Sequence, residues 1–514
     1  MNAIELSIFD NLFASICEEM GVALARSAFS PNIKDRRDYS CALFDREGRL
    51  LGQACHIPVH LGAMAYALGD VLREHPLEPE DVLILNDPFK GGTHLPDITI
   101  VAPVYIDGVL LAHVANRAHH ADIGGKKPGS MALAESILEE GLLIPPSLLY
   151  KGGEFQEGLM DWIKAGVRNP RERVGDLRAQ LAAARIGSKR LIELCQKYGS
   201  QRVEEAFEEL YDLGKKYMSS AIKAAPSGDY DFFDYLDGDG FSQDPLLVKV
   251  SLSFEEERLK VDFSGTAAPC RGNLNAPSPV TASAVLYALR CLLPKHCPSN
   301  GGLLEPLDLE IPAPSLLAAQ SPSAVAAGNV ETSQRVVDVV LGALSKAFPE
   351  RIPAASCGSM NNIAIGGANY AYYETIAGGA GAHPEFDGAS AIHTHMTNTL
   401  NTSIEILESH YPLRLHGYAI RRGSGASGLR KGGDGVSREI ECLVDSEVSL
   451  LSERRRFPPY GLYGGGSGSP GRNLLIDSDG TVTELPAKTC LSLGPGQRVR
   501  IETPGGGAWG KKKG

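Results

Sequence analysis

The chain has 514 residues, 43% hydrophobic and 22% charged, with a formal net charge of −12 from 50 basic and 62 acidic side chains. Such a length exceeds one core and predicts two to four domains of ordinary globular composition. The acidic balance argues against nucleic acid as a partner, and no apolar run reaches the roughly 18 residues of a spanning helix, so no membrane partner is expected either.

Residues 4–27 read as an amphipathic helix, with Ile8, Leu12, Ile16, Met20 and Ala23 at the helical period and Pro31 as its stop. Segments 41–45 and 49–55 flank Arg46-Glu47-Gly48, a hairpin signal. Val82–Leu85 is a short apolar strand leading into Asn86. Ile100–Ile106 and Val109–Asn116 flank Asp107-Gly108, the strongest two-residue hairpin turn. Residues 171–225 form a helical block, with Leu177, Leu181 and Ala184 on one stripe, Val203, Phe207, Leu210, Leu213, Tyr217 and Ala221 on another, and Gly199 as a cap between them. Packing or a subunit interface is the expected role of that block. After Pro226 the pattern turns to strands, with Val248, Val250, Leu252 and Phe254 alternating, then Leu259, Val261 and Phe263. Residues 331–347 return to helix through Val336, Val339, Val340 and Leu344, and a hairpin signal follows at Asp479-Gly480. The expected fold class is multi-domain α+β. It comprises a mixed N-terminal domain with the helical block (1–225), a β-rich middle domain (226–330) and a Gly-rich C-terminal α+β domain (331–514), so that the C-terminal half is β-rich.

The ten cysteines are scattered without a Cys-x-x-Cys pair and read as reduced thiols, with Cys291 and Cys297 the nearest pair. No basic segment followed by an apolar one opens the chain, so no signal peptide is expected and the cytoplasm is the expected compartment. The tail 511–514 reads as a solvated end.

The densest chemistry lies between residues 87 and 122, which hold Asp87, His94, Asp97, His119, His120 and Asp122 among glycines and prolines. Imidazoles and carboxylates are the ligands a divalent metal needs, and His94-x-x-Asp97 is short enough to turn both side chains toward one ion. The two loops sit at strand ends, which hold a site rigidly. His75, His113 and His296 read as ordinary core or surface residues. His393-Thr394-His395, if on a strand, offers two imidazoles on one face. In Gly328–Arg335, Thr332 or Ser333 reads as a helix cap, with Arg335 beside a helix N-terminus able to take an anion. Arg454–Arg456 with Gly464–Ser469 is a second anion candidate. No P-loop or dinucleotide fingerprint is present, and the Gly-rich stretch Gly464–Ser469 around Ser467 lacks the strand-to-helix setting of a nucleophile elbow.

Taken together, Arg26–Arg36, Ile57–Gly62, Asn86-Asp87-Pro88, Gly91–Asp97, His119–Gly125, Glu140–Pro146, Gly175–Gln180, Asp262–Thr266, Gly328–Ser333, His393–Asn398, Tyr411–Arg414, Arg454–Arg456 and Thr503–Gly507 resemble the hydantoinase B/5-oxoprolinase family almost end to end. The resemblance implies a cyclic-amide hydrolase (hydantoin or 5-oxoproline ring opening) that works as a B-type subunit in a hetero-oligomer. ATP is used by an A-type ATPase subunit of the hydantoinase A family. The large subunits of ketone carboxylases are related, which gives a carboxylase as the alternative and a non-catalytic scaffold for the ATPase as the third reading. The chain is compact beside those carboxylase subunits, which favours the hydrolase. The resemblance also implies a divalent metal (manganese in the acetone enzyme; manganese, zinc or iron here) on His94, Asp97 and one of His119 and His120. His119 is assigned as the ligand and His120 as a neighbour or proton-transfer group. Asp87 and Asp122 are expected behind the ligands, orienting imidazoles through their other ring nitrogen, and His393 and His395 are expected to be carried toward the site.

Overall fold

The computed structural model describes residues 1–54 and 57–512. Cys55 and the last two residues of the 511–514 tail lie outside the described residues. Strands β1 (Tyr39–Asp45), β2 (Leu50–Gln53), β3 (Val82–Leu85), β4 (Asp97–Ile106), β5 (Val109–His119), β6 (Ser147–Lys151) and β7 (Glu154–Phe155) form a seven-stranded sheet in the order β2-β1-β5-β4-β3-β6-β7. Its neighbours pair antiparallel throughout. Asp107 and Gly108 both have positive φ, as the predicted tight turn between β4 and β5 requires.

Both faces of this sheet are covered. The helix Pro58–Glu74 lays Met64, Leu68 and Val71 on Phe44, Leu85, Val101 and Ala115. The opposite face carries Ile98, Ile100, Val114 and Ala118 against the helices Ala3–Ser27 and Pro170–Tyr198. The stripe of the first helix differs from the expected one. Phe9, Phe13, Cys17, Met20 and Leu24 are buried, whereas Ile8 is exposed and Ala23 half-buried. The two stripes lie about one residue apart, and aromatic contacts of Phe9 with Tyr198 and of Phe13 with Phe207 select the more bulky one. The helix also ends at Ser27, before Pro31, which instead opens a short helix, Pro31–Lys34. The helical block is present as Pro170–Tyr198 and Ser200–Lys223, joined at Gly199 with φ 85°.

Three further sheets follow. Strands β8 (Gly228–Leu236), β9 (Leu246–Glu255), β10 (Arg258–Asp262) and β11 (Leu307–Glu310) form one, in the order β11-β10-β9-β8. The remaining strands are β12 (Asn362–Gly366), β13 (Ala371–Glu374), β14 (Leu413–Arg421), β15 (Gly435–Cys442), β16 (Ser446–Leu451), β17 (Arg472–Ile476), β18 (Val482–Leu485), β19 (Lys488–Leu493) and β20 (Arg498–Glu502). They divide into β13-β12-β16-β19 and β14-β15-β20-β17-β18. The whole is the expected multi-domain α+β architecture. The helix Ser333–Ala347 is buried on nearly every face. One hydrophobic core joins it to Ile57 and Val59, the helix Ser278–Arg290, sheet residues Val250 and Val261, and Tyr373 and Leu451. Segments distant in sequence are therefore fixed beside the start of the helix Pro58–Glu74. Among the described residues no helix is long and apolar enough to cross a membrane. Cys17, Cys195, Cys270, Cys291, Cys297, Cys357, Cys442 and Cys490 are free thiols.

The loop entering the helix Ser333–Ala347 is held by one buried acid. Glu140 Oε1 accepts hydrogen bonds from Val325 N (3.0 Å) and Ala326 N (2.9 Å). Burial pushes its carboxyl up to about 8, against those two donors. The folded protein thus binds this proton more tightly than the unfolded chain, whose glutamate titrates near 4.5. The resulting stabilisation is full below pH ~4.5 and is lost as pH rises through about 8. Glu140→Gln keeps one acceptor and has no charge to bury. We expect melting curves of the variant to lose less stability than the parent between pH 5 and 8.5; an identical slope in both would contradict this account.

Candidate metal centre

Asp97 is the first residue of β4 and His119 the last of β5, and the two are directly paired across the antiparallel ladder. Opposed residues in such a ladder share a face with Cβ atoms about 5 Å apart. Thr99 and Arg117 follow on the same face, the one covered by the helix Pro58–Glu74. His94 comes from the turn before β4, closed by Asp97 N donating to His94 O at 3.1 Å. Its ring centre lies 5.0 Å from that of His119. One ligand atom from each of His94, Asp97 and His119 lies within 4.8 Å of the others, in an arrangement able to hold a metal ion.

The turn is fixed from several sides. Asn86 donates to Leu95 O (2.8 Å) and Leu142 O (2.9 Å) and accepts from Ile144 N (2.6 Å). Gly92 packs so closely that a Cβ there would lie 2.6 Å from Asn86 O and 2.7 Å from Asp87 O. Arg117 donates to Thr99 Oγ1 and Gly91 O, both at 2.8 Å, tying the turn to the sheet.

The polar atoms of the centre are buried, and several have no hydrogen-bond partner. These are His94 Nδ1, Asp97 Oδ1 and His119 Nε2, while His94 Nε2 lies 3.2 Å from Asp97 Oδ2 without hydrogen-bond geometry. Leaving buried polar groups unpaired costs about 1–3 kcal/mol each, so a set of converging lone pairs fits a cation rather than a structural hydrogen-bond network. The protonation states agree. Burial pushes the Asp97 carboxyl up, but His94 and His60 outweigh it and hold it well below the usual range. Burial, helped by neighbouring His94, holds His119 well below its ordinary value, so its imidazole is neutral at pH 7.

A second layer that sequence reasoning did not assign surrounds these three. His60 joins Ser40 Oγ (2.9 Å from Nδ1) to Asp97 Oδ2 (3.3 Å from Nε2), and Thr93 Oγ1 donates to the same oxygen at 2.6 Å. Asn32 Nδ2 donates to His119 O at 2.7 Å and lies 3.2 Å from His119 Nδ1, which leaves Nε2 for the centre. The Tyr373 ring of β13 stacks on His119 at 4.6 Å. Such partners fix ring orientation and donor strength. His60 and Asn32 stand in the Ile57–Gly62 and Arg26–Arg36 blocks, but only the fold shows what they touch.

His120, Asp122 and Asp87 go elsewhere. His120 turns to the opposite face of the sheet, where Nε2 lies 3.0 Å from Gln180 Oε1 of the helical block, and burial, with Arg173 next, lowers it to about 4. Asp122 orients no imidazole: it accepts from Gly124 N, Gly129 N and Arg168 Nη1, closing its own glycine loop. Asp87 likewise accepts from Phe89 N within a turn. His393 and His395 are not on a strand, because Ile392 makes only an isolated bridge to Gly378 and His395 has φ 59°. Their surroundings differ. Burial and Arg36 lower His393 to about 4, whereas His395 Nε2 lies 3.9 Å from Asp338 Oδ1.

Both anion candidates are corrected. Arg335 is buried against Asp234 (3.2 Å) and Glu453 (3.4 Å), and Arg454 against Asp234 (2.8 Å) and Asp338. Arg455 is held by Asn361 (2.6 Å) and Asn473 (2.8 Å). Thr332 and Ser333 cap nothing, since their hydroxyls donate to Leu274 O and Asn329 O.

Residues 2–512 match the family model described as hydantoinase B/oxoprolinase. The chain belongs to the hydantoinase B/oxoprolinase family. It is 40% identical to 5-oxoprolinase 1 of Arabidopsis thaliana over 534 residues, 99% of this chain but 42% of that protein. Its structure is similar to the crystal structure of the ATP-dependent caprolactamase from Pseudomonas jessenii (TM-score 0.92, 28% identity, 99% of this chain and 91% of that one). The fold is shared with nucleotide-free acetone carboxylase (TM-score 0.89, 18% identity, 99% and 76%).

The geometry separates the two adjacent histidines. We expect His119→Ala to weaken binding of manganese or zinc by more than the roughly 10–100-fold that losing an outer partner costs, and His120→Ala to weaken it by less than that, because its ring lies against Gln180 on the far face of the sheet. Titration of apo protein by calorimetry checks this, and the reverse ranking would show the assignment to be inverted.

Proposed function

We propose that the chain is the B-type, ring-opening component of an ATP-dependent cyclic-amide hydrolase, acting on a hydantoin, 5-oxoproline or related lactam. The observation that carries this reading is the buried His94–Asp97–His119 group with its unpaired donor atoms. A purely structural scaffold has no use for such a group. When bound there, a divalent ion (manganese, zinc or iron) polarises a carbonyl or phosphoryl oxygen or lowers the pKa of a water. Asp97 contributes its carboxylate in the ionised state, held by Thr93 and His60. His119 contributes a neutral imidazole kept in orientation by Asn32 and Tyr373. Burial of the centre excludes bulk water, which strengthens every electrostatic contact made with the substrate.

ATP enters this scheme through an A-type ATPase subunit of the hydantoinase A family, with which the chain would form a hetero-oligomer. The sequence has no P-loop, and the plant 5-oxoprolinase carries more than half of its length outside the region matched here, where an ATP-using part can lie. The free cysteines suit a reducing compartment, and we place the complex in the cytoplasm.

The test is reconstitution with the cognate ATPase subunit, supplying 5-oxoproline, hydantoin and caprolactam in turn. ATP-dependent ring opening of at least one is expected. His94→Ala should lower it by at least about a hundredfold, the scale of losing one electrostatic stabiliser, without loss of complex formation on a sizing column. Incorporation of labelled bicarbonate into a ketone, with no ring opening, would replace the hydrolase by a carboxylase. Full turnover by the His94 variant would remove the metal from the mechanism.

A further inference from the structure

The Gly328–Ser333 segment, read from sequence as a helix cap, does something else. Residues Gly328–Thr332 form one turn of π-helix, in which Ser333 N donates to Gly328 O, and only then does the α-helix Ser333–Ala347 begin. Turns of this kind are rare and concentrate at functional sites. Gly328 fixes its position, because a Cβ there would lie 2.0 Å from Asn275 O. Gly328 N donates to Asn273 O at 2.9 Å, and Ser333 Oγ donates to Asn329 O at 2.6 Å. The wider turn directs Glu331 to Met360 N (3.0 Å) and Asn362 Nδ2 (2.7 Å), and directs Asn329 to the metal centre.

Asn329 is only 3% exposed. Its Nδ2 lies 3.5 Å from Asp97 Oδ2, at the outer limit of a hydrogen bond, and its Oδ1 has no partner. Asp97 Oδ2 is already served by Thr93 at 2.6 Å and His60 at 3.3 Å, so Asn329 is not needed to hold it. A buried carboxamide with a free acceptor and a donor hydrogen to spare, beside a candidate metal centre, is a group prepared for a ligand.

We propose that Asn329 binds the substrate and reads its amide, a role that rests on the cyclic-amide hydrolase reading above. The chemistry that matches is specific. In a small lactam or hydantoin ring the amide is held cis, so its N–H and C=O point to the same side. In an ordinary open amide they point apart, since trans is favoured by about 2.5–4 kcal/mol. A primary carboxamide also presents N–H and C=O side by side. Asn329 Oδ1 can therefore accept from the ring N–H while Nδ2 donates to the ring carbonyl, two bonds at once, and an open trans amide can make only one of them. Asn329 would thus select cyclic over open amides and aim the carbonyl toward His94, Asp97 and His119.

The test uses the metal-loaded complex with its ATPase subunit and compares the parent with Asn329→Leu, which is nearly isosteric, and Asn329→Gln, which restores the carboxamide on a longer arm. Metal content by elemental mass spectrometry should be equal in all three. For the best cyclic amide, KM should rise about ten- to a hundredfold in Asn329→Leu, the effect of leaving a buried amide unpaired, with partial recovery in Asn329→Gln. In a separate readout, the visible spectrum of the cobalt-substituted chain should shift on adding 2-pyrrolidinone to the parent, less so with open-chain N-methylacetamide, and not in Asn329→Leu. Equal KM and equal spectral shifts in parent and Asn329→Leu overturn the proposal. Loss of metal from Asn329→Leu also overturns it, since Asn329 would then act by holding Asp97. If the parent complex opens no cyclic amide and its spectrum is unmoved by 2-pyrrolidinone, the hydrolase reading fails and this inference with it.

Discussion

The register between β4 and β5 decides whether Asp97 and His119 can share a candidate metal centre at all. From the turn at Asp107-Gly108 the strands pair as Ile106 with Val109 and Tyr105 with Leu110. The register then shifts, so that Val104 faces Ala112 and Leu111 is passed over. With that bulge Asp97 faces His119; without it Asp97 would face Ala118 and His119 would turn to the other side of the sheet. A one-residue change of register exchanges every side chain between faces. The bulge thus determines that Asp97 and His119 share the face covered by the helix Pro58–Glu74, while His120 goes to Gln180 on the far side.

Given that register, the packing of distant segments finishes the site. His60 at the start of the covering helix, Asn32 from the short helix after the first long one, Tyr373 from β13 and Asn329 from the π-turn all reach Asp97 or His119. They are held there by a continuous apolar core and by buried anchors such as Glu140 and the Arg335–Arg454 ion pairs. The arginines at those anchors each meet carboxylates, as buried charges must. Buried atoms without a partner also occur elsewhere, at the Arg335 and Asp338 anchors among other places, but at His94, Asp97 and His119 they converge within ligand distance of one another, and local violation of a general rule is where function is expected.

Much of this was legible in the sequence. The tight turn at Asp107-Gly108, the strand before Asn86, the helical block and its glycine joint, and the density of His and Asp between residues 87 and 122 all follow from local pattern, whereas the set His94, Asp97 and His119 came from the family resemblance. What was not legible depended on tertiary contact. The first helix has two apolar stripes about one residue apart, and only its aromatic neighbours choose between them. His393 and His395 alternate as on a strand, yet the segment has no ladder partner, so the two rings go to different surroundings. Arg335 and Arg454 look like anion ligands until Asp234, Asp338 and Glu453 are brought beside them from other elements. Asn329 was hidden for the same reason: a π-turn and a cap share the same Gly, Asn, Thr and Ser residues, and the choice between them is made by the close approach of Gly328 to Asn275.

The measurement that tests the account most directly is the metal content of the purified chain by elemental mass spectrometry, beside the double variant His94→Ala/Asp97→Ala, with melting curves to show that both are folded. The account predicts about one divalent metal per chain in the parent and none in the folded variant. No metal in the parent after supplementation with manganese, zinc or iron, or equal metal in both, would contradict it and turn these residues into acid–base or structural groups.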